Sequence, residues 1–79
     1  MIFDRLLRLI SEGDVIANPI GDVIVVDRIR EAGVLVDIYG VALGPTSPYR
    51  IGISCFWVTS IRGLTINWEI VQSGVLRVH

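Results

Sequence analysis

The sequence predicts a mainly β protein: a small antiparallel barrel of five to six strands preceded by an N-terminal amphipathic helix. Three observations carry this. In Leu64-Thr65-Ile66-Asn67-Trp68-Glu69-Ile70 apolar and polar residues alternate without error, the period-two signature of a strand with one buried face. Several other short runs rich in Val, Ile and aromatic residues are separated by tight turns containing Gly, Pro or Asn, as antiparallel strands require. Only the first dozen residues carry a helical period instead. With 79 residues the chain makes one domain spanning residues 1–79.

Taken in order, residues 2–12 are predicted as the helix. At ~100° per residue, Ile2, Phe3, Leu6, Leu7, Leu9 and Ile10 fill one arc, and Asp4, Arg5, Arg8, Ser11 and Glu12 the other. Asp4–Arg8 and Arg8–Glu12 are i,i+4 ion pairs on that reading, each worth about 0.3 kcal/mol, and Gly13 suits the left-handed position past the helix end. Gly-Asp-Val-Ile then occurs twice, at 13–16 and 21–24, marking strand starts on either side of Asn18-Pro19-Ile20-Gly21, a type I turn by residue preference. Strands are expected at about 14–17, 22–30 and 34–39, the last two joined by a turn at Glu31-Ala32-Gly33. Asp14 and Asp22 are expected as solvated strand-edge carboxylates, and Asp27 and Asp37 are expected to approach across the second hairpin on its solvent face. Residues 40–50 form the longest irregular stretch, since Pro45 and Pro48 cannot donate to a ladder. A central hairpin of strands at 51–58 and 64–71, turning at Thr59 to Gly63, brings Trp57 and Trp68 to one end of the sheet, and a last strand at 75–78 closes the chain.

A helix followed by short strands with tight turns is similar to the SH3-like or Sm-like class. The likeness is architectural, covers most of the chain and carries no diagnostic motif, so it implies no function. Length and architecture are also similar to the type II dihydrofolate reductases, which build an active site only at the centre of a tetramer. Their signature is not in this sequence, and no residue role carries over.

Composition points to a partner. Hydrophobic residues are 52% and charged residues only 19% of the chain, whereas a domain this small buries only about 60–65% of its unfolded surface. The surplus is expected in a subunit interface or partner contact. Net charge is −1, so no strong field draws in nucleic acid or anionic lipid. All seven basic residues are Arg. No apolar run approaches the ~20 residues that span a bilayer, and Asp4 interrupts what would be the apolar part of a signal peptide. The single Cys55 fits a reducing, cytoplasmic setting.

Chemistry-bearing patterns are missing. No Gly-rich phosphate loop precedes a helix, no Cys/His spacing suits zinc, and Ser54, Ser60 and Cys55 have no base in a recognisable pattern. No catalytic residue, metal ligand or cofactor is therefore assigned. The expected function is a non-enzymatic binding or assembly module forming a homo-oligomer, with Ile2, Phe3, Leu6, Trp57 and Trp68 as interface residues. The alternative is a small-ligand binder or enzyme whose site forms between subunits near Tyr39, Tyr49 and Arg50, an aromatic pair beside a cation that suits a planar ligand. A weaker alternative is single-stranded nucleic-acid binding by Arg28, Arg30, Arg50 and Arg62. A phage or mobile gene cassette is a compatible origin for so small a chain.

Overall fold

The computed structural model describes residues 1–44, 52 and 54–74, of which 54–57 are described by backbone alone. Alternating β-branched segments become β1 (Val15–Ala17), β2 (Val23–Ala32), β3 (Leu35–Gly44) and β4 (Ser54–Ser60), followed by a short helix α1 (Ile61–Asn67) and β5 (Glu69–Gln72). They form one antiparallel sheet in the order β4-β3-β2-β1-β5. Among the described residues the sheet is not closed into a barrel: β4 and β5 are its two edges. Residues 40–44, expected to begin the irregular stretch at 40–50, instead extend β3, because they continue its pairing with β2; residues 45–50 and the expected strand at 75–78 lie outside the described residues.

The β2–β3 hairpin is the longest pairing, from Ala32↔Leu35 beside the turn to Val23↔Gly44. Gly33 sits at φ 64 in that turn, a conformation costly for residues with a Cβ. Between Val26 and Arg28 the register shifts by a bulge, which sends Asp27 out to solvent and bends the sheet. Asp37 therefore pairs with Arg30, and the expected approach of Asp27 to Asp37 does not occur in this register. Gly40, buried in mid-strand, packs so closely on β2 that a Cβ there would meet the Val25 carbonyl oxygen and lie 2.6 Å from Ile24 Cγ2.

Alternation sorts the sheet into two faces. One carries Ile16, Ile24, Val26, Val36, Ile38 and Ile70, all buried, and packs with Ile2, Ile10, Leu64 and Trp68 into a single core. The N-terminal segment and α1 cover this inner face.

Two further expected elements differ. The N-terminal residues are not a helix but a narrow strap: Phe3 bridges Leu9, the Ile10 amide donates to the Ile2 carbonyl at 2.9 Å, and the Asp4 amide to the Arg8 carbonyl at 2.9 Å. The reason is Asp4. Its fully buried carboxylate accepts from the Leu6 and Arg8 amides, twice from the Arg8 guanidinium, and from the Ile70 amide at 2.9 Å. The Asp4–Arg8 pair read as helical is present at 2.8 Å, but it spans a turn. Leucines 6, 7 and 9, placed on the apolar arc of a helix, are exposed.

The other difference is at residues 61–67, expected as turn and strand and found as α1, so the expected hairpin of 51–58 with 64–71 does not form and β4 and β5 are opposite edges of the sheet. Ser60 caps it, its hydroxyl accepting from the Gly63 amide at 2.9 Å. Ile61, Leu64 and Trp68 are spaced by three and four, so they share a helical face, and the latter two are buried. The Trp68 amide closes the helix on the Leu64 carbonyl at 2.9 Å, and the chain turns extended at Trp68 (φ −98, ψ 143) to begin β5. Asp14, expected in solvent, is buried: its oxygens accept from the Ser11 and Gly74 amides, each at 2.8 Å.

Candidate functional site

The outer face of the sheet is left uncovered among the described residues and carries several apolar side chains. It is built by the odd-numbered positions of β3 and their cross-strand partners. Val25 faces Val41, Ala32 faces Leu35, and Val58 of β4 faces Asp37. Val23, Val25, Tyr39 and Val41 are half-buried, while Leu35 and Val58 are 45% and 55% exposed. Neighbouring β-branched side chains on a pleated surface pack well against one another, but their upper surfaces meet water.

Polar groups interrupt this band in a definite order. The Arg28 guanidinium carbon lies 4.3 Å from the centre of the Tyr39 ring, a cation–π contact. Arg30 and Asp37 are cross-strand partners of opposite sign, and Val34, at the hairpin tip, is largely exposed. The face thus presents Val25 and Val41 towards one end and Ala32 and Leu35 towards the other, with Arg28, Arg30 and Asp37 between them and Val58 beside Asp37.

The sequence-predicted site residues scatter. Tyr39 lies in this face, beside Arg28; Tyr49 and Arg50 lie outside the described residues, as does the side chain of Trp57. Of the other expected interface residues, Ile2 and Trp68 are buried within the subunit, Phe3 is half-buried, and Leu6 is exposed at the turn of the strap. Sequence reasoning missed Arg28 as the cation beside Tyr39. Counting outward from the Ala32↔Leu35 pair reaches Arg28↔Tyr39 directly, so the signal was in the turn position.

A second feature is a shallow groove where the β1–β2 turn meets α1. One part, about 190 Å³, is lined by Arg5, Ala17, Pro19, Asn67 and Glu69; the adjoining part, about 210 Å³, by Pro19, Ile20, Thr59, Gly63 and Trp68. Asn18 borders both, and its Oδ1 accepts from the Ile20, Gly21 and Asp22 amides, which fixes the turn. Arg5 and Glu69 form an ion pair at 3.0 Å on the rim. No nucleophile–base pair lines the groove.

Among the described residues no three His, Cys, Asp or Glu side chains are grouped to hold a metal, no buried side-chain polar atom lacks a partner, and no helix is long and apolar enough to cross a membrane. No protein family model, curated protein or solved structure matches the chain.

Proposed function

We propose that the chain is a non-enzymatic assembly module that forms a homo-oligomer through the outer face of its sheet. The observation that supports this is the set of apolar side chains on the outer face of three adjacent strands, Leu35 and Val58 exposed and Val25 and Val41 half-buried. Packing this band against a second copy removes apolar surface from water, the dominant favourable term in association. A two-fold arrangement is self-complementary, and Arg28, Arg30 and Asp37, in the middle of the face, supply charges of both signs that can meet across it. Sedimentation velocity across the micromolar range tests this. The wild type sediments as a concentration-dependent oligomer, and Val58→Arg and Leu35→Glu shift it to monomer; a wild type that stays monomeric throughout overturns the reading.

The same strand order, a β2-β3-β4 meander with β1 and β5 joined at one side, supports classing the fold as an opened SH3-like sheet. The lone cysteine supports a reducing, cytoplasmic setting.

The groove beside Trp68 supports a second reading, a small-ligand binder, because Asn67 lines both of its parts, with Trp68 in one and the Arg5–Glu69 pair in the other. A thermal-shift screen of small carboxylates and amides checks it. Stabilisation lost in Asn67→Ala supports it, and no stabilisation by any member removes it.

A further inference from the structure

We infer that the N-terminal strap is an edge guard: it imitates a β-strand along the outer side of β5 and closes that edge to strand addition by a second copy of the chain. Among the described residues β5 pairs with a strand, β1, on one side only. On its other side the Ile70 amide donates to Asp4 Oδ2 at 2.9 Å, the Ile70 carbonyl accepts from Arg8 Nη2 at 2.7 Å, and the Trp68 carbonyl accepts from the Arg5 amide at 2.8 Å. An incoming antiparallel strand would present this same sequence of donors and acceptors. Two of the three are side-chain groups here, and that difference matters. A real strand offers a fresh row of backbone groups on its far side, ready to pair again. The strap turns its backbone inward instead: the Asp4 amide donates to the Arg8 carbonyl and the Leu7 amide to the Asp4 carbonyl. The ladder stops at the strap.

The occupant excluded is a second copy, because β5 is self-complementary. Centred on Ile70 in antiparallel pairing, Glu69 faces Val71 and Trp68 faces Gln72, so no like charges oppose. This inference rests on the reading of the chain as a self-assembling module. It deepens the assembly reading by stating which of the two surfaces self-association uses.

The test places Asp4→Ala and, separately, Arg8→Ala in a Val58→Arg background, where outer-face association is silenced. Amide hydrogen exchange and sedimentation are read together. In Asp4→Ala, Ile70 exchange rises roughly tenfold or more, as loss of its hydrogen bond to a charged group implies, while Val26, whose amide donates to the Asp14 carbonyl at 2.9 Å, is unchanged. A new concentration-dependent dimer appears, in which Ile70 regains protection. Arg8→Ala, at a half-exposed side chain, keeps the test available if Asp4→Ala does not fold. Equal acceleration at Val26 and Ile70, or an open edge with no new dimer, overturns the inference. A monomeric Val58 wild type would count against the outer-face proposal alone.

Discussion

Asp4 is the residue on which the N-terminal fifth of the chain turns. Burial alone would raise its pKa. The Ile70 amide, the Arg8 guanidinium and the Arg8 and Leu6 amides outweigh that and hold it down to about 2 from an ordinary 3.8. Because the folded value lies below the unfolded one, its contribution is complete above about pH 4 and is lost as pH falls through 2. That contribution is about 2 kcal/mol. Urea midpoints of the wild type are expected to fall over this window, and those of Asp4→Asn to start lower and stay flatter. Three residues on, Leu7 sits at φ 61 with its side chain 75% exposed. It holds a left-handed conformation without burying itself in return, so Leu7→Gly relieves about 1 kcal/mol of strain and raises the thermal midpoint. An unchanged or lowered midpoint would show that the leucine side chain makes contacts that outweigh the strain.

At the scale of elements, α1 shows how one pattern supports two structures. Leu64, Ile66, Trp68 and Ile70 alternate as a strand should, yet Ile61, Leu64 and Trp68 also mark a helical face. Ser60 decides between them by capping, and only Ile66 is left exposed by the outcome. Ser60→Ala is expected to cost about 1 kcal/mol, read as a lower urea midpoint with an unchanged slope. The cost should be similar for Ser60→Val and much smaller for Ser60→Asp, which restores the cap. The strap shows the converse. Its amphipathic period was legible, but a seven-residue turn around a buried carboxylate uses the same polar positions as a helix. The turn wins because its acceptors reach Ile70, 66 positions away in sequence, and no local pattern encodes that distance.

For the whole molecule, the two faces of the sheet have unequal fates. The inner face is closed by α1 and the strap, and the chain ends are tied together by buried carboxylates, Asp4 to Ile70 and Asp14 to Gly74. The outer face keeps its valines open among the described residues. Substituting there should change association without changing fold. Val58→Arg is expected to leave the urea midpoint within the ~0.5 kcal/mol typical of surface changes while abolishing self-association in sedimentation. If stability fell by several times that amount, the residue would belong to the core and not to an interface.

The sequence by itself determined the β-rich class, the β2–β3 hairpin and the Asn18 and Gly33 turns, because alternation and turn chemistry act over neighbouring residues. It also carried the apolar surplus and the pairing of Asp4 with Arg8. Tertiary structure alone decided that residues 2–10 are a strap, that Asp14 is buried, that a bulge at Asp27 shifts the hairpin register, and that among the described residues the sheet stays open between β4 and β5. Each of these depends on a hydrogen bond or register set between distant parts of the chain. There the energy of satisfying a buried group exceeds the few tenths of a kcal/mol by which local propensities differ.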